Sequence, residues 1–231
     1  MSKWRSSLDA LASVALIGAS VTLIAGSLSV TPPTTTRRQP QVPKELQSIA
    51  DAAVLGNPDA KIVIIEYSDY ECTFCAAFAR DTLPVLQARY VDTGTVKLVF
   101  RHFPLPNHVF ARKAAEAAEC ARGQGKFWEF HDRLLSDPKN LDLGRLRREA
   151  SLLGLDELLF ANCLTGQAVA RLNQDLASAR ALGFTGTPAF LIGTSQGNDT
   201  VRVTNVITGA QPAAEFSRVI DGILSDAKGG G

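Results

Sequence analysis

The chain has 231 residues, 45% of them apolar and 20% charged, with a formal net charge of +1. That is enough apolar material for one generous packed domain, and it gives no case for a nucleic-acid binder, which carries a basic excess. The single Met is the initiator, so a Met-rich copper site is out, and the three histidines (His102, His108, His131) show no metal-ligand spacing.

Lys3 and Arg5 precede an uncharged stretch from Ala10 to Val30. As a helix it spans roughly 30 Å, about one hydrocarbon core. An uncleaved signal anchor fits that length. A cleaved signal peptide fits a shorter apolar core, Leu11 to Ile24, with Ala25 and Ser27 at a cleavage site. Residues 31–46 follow as a Pro/Thr-rich linker carrying Pro32, Pro33, Pro40 and Pro43, semi-extended and without apolar periodicity. The expected layout is a signal segment at 1–30, this linker, and one folded domain at 47–231. Either form of the signal sends that domain out of the cytoplasm, to the periplasm or the outer face of the membrane, with anchoring favoured.

In the folded part, Ile62-Val63-Ile64-Ile65 is a β-branched run and reads as a strand buried on both faces. After a short loop a helix starts near Cys72, with Pro84 placed to kink or divide it. Val96 to Phe100 is a second strand, which completes a parallel strand–helix–strand unit. Five helical stretches follow: Val109–Ala121, Lys126–Leu135, Asp142–Leu153, Asp156–Leu164 and Gln167–Leu182, with Gly183 as a cap. Arg145, Arg147 and Arg148 read as a solvated helix face, and Phe127, Trp128 and Phe130 as core. Strands return at Ala189–Ile192 and Val201–Ile207. A last helix covers Ala213 to Ser225, with a frayed Gly-rich end.

The chemistry sits in Cys72-Thr73-Phe74-Cys75. The pair follows a strand and opens a helix, where backbone N–H groups and the positive end of the helix dipole lower a thiol below its free value of about 8.5. A two-residue spacer lets the second sulfur reach the first. Cys72 is then the exposed nucleophile, and Cys75, one turn in, is the more buried resolving thiol. Two other assignments stand beside this one: a structural disulfide, and half a zinc site. The zinc site wants a second close pair, which Cys120 and Cys163 do not supply. Glu66 ends an apolar strand six residues before Cys72; it is either a part-buried acid with a raised pKa or a solvated strand-end carboxylate. Gly123-Gln124-Gly125-Lys126 lacks the spacing of a phosphate loop, so no cofactor is expected.

The segment Glu66-Tyr67-Ser68-Asp69-Tyr70-Glu71-Cys72-Thr73-Phe74-Cys75 resembles the active-site segment of the DsbA-like proteins of the thioredoxin superfamily. The likeness continues through Ala118-Glu119-Cys120-Ala121, Gly125-Lys126-Phe127-Trp128-Glu129 and Gly186-Thr187-Pro188-Ala189-Phe190, and covers roughly Asn57 to Leu224. It implies an α/β thioredoxin fold with a helical insertion at about 106–182. Thr187-Pro188 then matches the family's cis-proline loop, which lies against the cysteines, although an ordinary turn fits those residues too. Glu66 matches the acid that relays a proton to or from the second Cys. Cys120 and Cys163 are implied to form a structural disulfide, as in some members, against the alternative of two free thiols; a Cα separation beyond about 7 Å would exclude the bridge.

The implied activity is the introduction of disulfides into exported proteins, with reoxidation by a membrane partner of the DsbB or vitamin K epoxide reductase type. A reductase or isomerase of the same compartment, or a redox-inactive peptide-binding or chaperone module, are the alternatives. Phe74 stands where DsbA has a His, and it offers no cation to a thiolate. The pair is therefore expected to be less oxidising than that of DsbA.

Overall fold

The computed structural model describes residues 40–229 apart from 167 and 198. The expected signal segment and most of the linker lie outside the described residues. Among those residues, no helix is long and apolar enough to cross a membrane.

Six strands form one mixed sheet. In chain order they are β1 (Gln47–Ser48), β2 (Ala53–Leu55), β3 (Ile62–Ser68), β4 (Val96–His102), β5 (Ala189–Gly197) and β6 (Thr200–Thr208), and across the sheet they run β1-β6-β5-β3-β4-β2. Only β3 and β4 pair in parallel; the other pairings are antiparallel. Every residue of β3 and β4 is buried, as a continuous β-branched run in the middle of a two-sided sheet requires.

The helical run after Cys72 is α1 (Thr73–Ala77), a wider π turn (Phe78–Thr82), α2 (Leu83–Leu86) and a second π turn (Gln87–Val91). Pro84 lacks an N–H, and the first π turn lies directly before it, so the run loosens instead of breaking. Its inner face packs with α8 (Ala213–Gly229) on one side of the sheet, where Phe78, Phe190 and Phe216 meet at centroid distances of 4.5, 4.8 and 5.5 Å. Such aromatic pairs contribute about 0.5–1.5 kcal/mol each beyond simple burial.

Between β4 and β5 stand α3 (Ala111–Arg122), α4 (Phe127–Leu135), α5 (Leu143–Leu152), α6 (Glu157–Cys163) and α7 (Val169–Ala181). α7 covers the other side of the sheet, with Leu172, Leu176 and Ala179 against Val63, Ile65 and Val99. Helices α3 to α6 build a second core around Phe127, Phe130, Leu134, Leu146 and Phe160. Asp142 and Asp156 cap α5 and α6 by accepting the N–H of Arg145 and Leu159.

Two expectations need correction, and two strands lie beyond them. Arg145 is not on a solvated face. It is buried, and its guanidinium donates to the carbonyls of Arg133, Asp137 and Asn140, satisfying the chain as it leaves α4. The final helix continues four residues past Ser225, to Gly229. Strands β1 and β2 were not anticipated; they are held from outside by Arg101, which donates to the Ser48 carbonyl (2.6 Å), and Trp128, which donates to that of Val54 (2.9 Å).

The β5–β6 hairpin bends at Gly193, where the register shifts. A Cβ there would lie 2.0 Å from the Arg202 carbonyl oxygen, and a backbone atom cannot step aside cheaply. Gly193→Ala is therefore expected to destabilise the domain by about 1–3 kcal/mol, the usual cost of overpacking, read as a lower midpoint in urea unfolding. An unchanged midpoint would contradict the bulge assignment.

Candidate active site

Cys72 is the N-cap of α1, in extended conformation (φ −80°, ψ 118°), and its carbonyl accepts the first helical bond from Ala76 N–H at 3.1 Å. The strand delivers it there: β3 ends at Ser68, the turn Asp69–Glu71 follows at the C-terminal end of this central strand, and the helix begins. Cys75, one turn on, is fully buried, and the two sulfurs are unbonded neighbours. The expectation of an exposed Cys72 is corrected, because only 5% of it is accessible. The Thr187-Pro188 segment covers it. That peptide bond is cis, and the Cys72 thiol contacts the Thr187 carbonyl at 3.5 Å. The exposed members of the motif are Thr73 and Phe74, the latter at 66%.

The two thiols are driven apart. The Cys75 thiol donates to Cys72, and with the Thr187 side chain and the backbone N–H groups of Cys75 and Phe74 this brings the Cys72 pKa down to about 5, against the opposing effect of burial. Cys75 moves the other way: burial, then the hydrogen bond and charge of Cys72, push it well above the ordinary thiol range. The pair titrates as a unit, one proton shared between two sulfurs, with the outer one ionised. The Asp69 backbone N–H also points at the Cys75 sulfur, at 3.5 Å.

Glu66 lies on β3, 1% exposed, and burial pushes its carboxyl up to about 7. Ser68, two residues on, shares its face of the strand and biases both the Glu66 carboxyl and the Cys75 thiol.

The motif alone does not reveal the scaffold of the turn. The Asp69 carboxylate is buried and accepts from the N–H groups of Glu71 (2.8 Å) and Leu105 (2.7 Å) and contacts His108 Nδ1 (2.8 Å). Glu71 accepts from the N–H groups of Phe110 (2.7 Å) and Ala111 (3.0 Å), closing the start of α3. Tyr70 meets His131 Nδ1 (3.3 Å), and His102 Nε2 meets Glu119 (3.0 Å). The usable signal is an acid at alternate positions, 69 and 71, directly before the cysteine; their partners beyond the turn lie 36 to 40 residues away in the chain. Cys120 and Cys163 are bonded to each other, joining α3 to α6 at a Cα separation of 5.7 Å, which leaves Cys72 and Cys75 as the free thiols.

An α/β sheet with a parallel β3–β4 core, a cysteine pair at the mouth of the first helix and a cis-proline beside it defines the thioredoxin-like class. A family model described as Thioredoxin matches residues 48–221. Among solved structures, the chain is similar to α-DsbA1 of Wolbachia pipientis, with 28% identity, a TM-score of 0.66, and coverage of 77% of this chain and 93% of that one. It is also similar to BdbD of Bacillus subtilis, with 26% identity, a TM-score of 0.65, and coverage of 78% and 96%. Among curated proteins, Na(+)/H(+) antiporter NhaA 3 of Salinispora tropica is 38% identical over 141 residues, which is 60% of this chain and 21% of that protein. The chain thus spans about a fifth of the length of such relatives. The chain belongs to the thioredoxin family, among the DsbA-like thiol–disulfide oxidoreductases of that superfamily.

Two measurements follow from the site. Absorbance at 240 nm on the reduced protein is expected to report a thiolate titrating near 5, and Cys75→Ala, which removes the largest stabilising donor, should move that midpoint upward by one or more pH units. A midpoint indifferent to Cys75 contradicts the pairing. Glu66 has a folded pKa above the ordinary 4.5, so its neutral form is favoured by the fold; stability is full below about 4.5 and falls as pH rises through about 7. Glu66→Gln should then raise stability at pH 8, by up to about 3 kcal/mol, with the gain vanishing toward pH 4. A gain that is equal at both pH values would contradict a buried, titrating Glu66.

Proposed function

We propose that this chain oxidises cysteines of exported proteins through a Cys72–Cys75 disulfide, on the outer side of a membrane. The observation that carries the proposal is the opposed behaviour of the two thiols beneath Thr187-Pro188, one brought down to about 5 and one held high. A stabilised Cys72 thiolate makes it a good leaving group and favours the reduced protein, so electrons flow from substrate to the pair.

A substrate thiolate attacks the Cys72 sulfur and forms a mixed disulfide. Cys75 departs as the leaving group and takes up a proton. A second substrate thiolate then displaces Cys72. The Thr187 backbone lies outside the strand ladder, whose register begins at Ala189, so it is available to an extended substrate segment. Glu66 serves as the proton partner of Cys75, and the Cys120–Cys163 bridge braces the helical block.

The apolar stretch from Ala10 to Val30 supports export and retention at the membrane. The matches to proteins named as Na(+)/H(+) antiporters, which contain a stretch like this domain, support a membrane-proximal setting. Reoxidation falls to a membrane partner of the DsbB or vitamin K epoxide reductase type.

Cys75→Ala, expressed with its export segment, should accumulate mixed disulfides through Cys72 on reducing-agent-free gels, while Cys75→Ala combined with Cys72→Ser should show none. The oxidised wild type should restore activity to a reduced, unfolded disulfide protein faster than it reduces insulin. Absence of adducts would refute the nucleophile, and insulin reduction outpacing oxidation would reverse the direction.

A further inference from the structure

The exchange needs a proton at a place that bulk water does not reach. When the Cys72–Cys75 bond breaks, its electron pair leaves on Cys75, which is fully buried and held far above the ordinary thiol range. Over a complete turnover, two substrate thiols become one disulfide. Of their two protons, one is matched by the proton that ends on Cys75, and the other is released because Cys72 remains a thiolate. Glu66 is the nearest carboxyl on the face of β3 that Ser68 shares, yet it is itself 1% exposed.

One face of the parallel strands leads outward. Glu66 and Ser68 stand two residues apart on β3, and their register partners on β4 are Phe100 and His102. Glu66 Oε1, Ser68 Oγ and His102 Nδ1 are all buried and have no hydrogen-bond partner of ordinary geometry among the described residues. Buried polar groups are bonded in about nine cases of ten, so three such atoms on one face call for an explanation. The other nitrogen of the same imidazole, His102 Nε2, lies 3.0 Å from Glu119 Oε1. Glu119 Oε2 accepts from Arg122 Nε at 2.7 Å, and the Arg122 side chain is 36% exposed.

We propose that Ser68, His102 and Glu119 form a proton path joining Cys75 and Glu66 to the protein surface at Arg122. This rests on the exchange reading above. An imidazole takes a proton at one ring nitrogen and releases one at the other, and the Ser68 hydroxyl both donates and accepts. Ser68 bears on both the Glu66 carboxyl and the Cys75 thiol, and His102 is its register partner on β4. Besides Glu119, His102 meets the rings of Tyr70, Phe100 and Phe127. Its backbone N–H donates to Asp175 of α7 at 3.0 Å. His131 is not the carrier: burial, reinforced by the charge of His102, pushes it down to about 3, so it stays neutral against Tyr70. The three residues act through Glu66 and Cys75, not on the substrate.

The test uses the full chain, oxidised, with Ser68→Ala and Glu119→Gln made separately. Reduction by dithiothreitol is followed by stopped-flow fluorescence in H2O and D2O across pH 5–9. Each variant is expected to slow reduction about tenfold, a modest share of what positioned acid–base groups supply, and to show a larger solvent isotope effect than the wild type. In Glu119→Gln, which touches neither sulfur, the thiolate titration of Cys72 should stay where it was, which a merely structural defect would not preserve. If one variant loses its native near-ultraviolet circular dichroism, the other decides. Rates and isotope effects equal to wild type in a folded variant overturn the path alone. A wild-type protein that dithiothreitol cannot reduce overturns the exchange reading, and the path with it.

Discussion

The structure depends on the hydrogen bond between two sulfurs at the start of a helix. Cys75 donates to Cys72, and that contact, together with the burial of Cys75, separates two chemically identical groups into an ionised sulfur and a protonated one. Everything around it keeps the donor dry and the acceptor supplied. β3 and β4, buried along their whole length, fix where the turn leaves the sheet. The helix supplies the N–H groups of Phe74 and Cys75. The Thr187-Pro188 segment lies over the acceptor and leaves only 5% of Cys72 accessible. A buried thiolate is costly unless it is bonded, and here the bonding outweighs the burial.

The helical block is part of that arrangement. Asp69 and Glu71 reach from the active-site turn to Leu105, His108, Phe110 and Ala111, so the geometry of the cysteines is tied to the entry of α3. Tyr70 reaches past it to His131 in α4. Three consecutive residues before the nucleophile therefore point into the insertion, and the Cys120–Cys163 bridge ties α3 to α6 behind them. Turn and block form one braced unit, with Phe74 left outside it as the solvent-facing apolar residue of the motif.

The parts legible in the sequence are those governed by local rules. The β-branched run of β3, the helix periodicities, the Asp142 and Asp156 caps and the positive φ of Gly183 are all short-range signals, and the elements fall within a few residues of where those signals put them. Strands β1 and β2 have only two and three residues, too few for any periodicity; pairing with β6 and β4 makes them strands. Arg145 misleads because a charged residue on an amphipathic helix normally faces water, and here carbonyls at the end of α4 take its place. In the site, a strand followed by C-x-x-C is a local pattern and shows where the cysteines lie. The proximity of Thr187 to Cys72, 115 residues apart, came only through family resemblance. The His102–Glu119 pairing depends on how α3 lies across β4, which no spacing in the chain encodes.

The equilibrium reduction potential of the Cys72–Cys75 couple against a glutathione buffer tests the central claim most directly. A thiolate held near 5 lies between the nucleophiles of thioredoxin (about 7) and DsbA (about 3.5), so the potential should fall between about −270 and −120 mV. A value at or below that of thioredoxin would mean that the outer sulfur is not selectively stabilised as an anion, and the account would be wrong at its root.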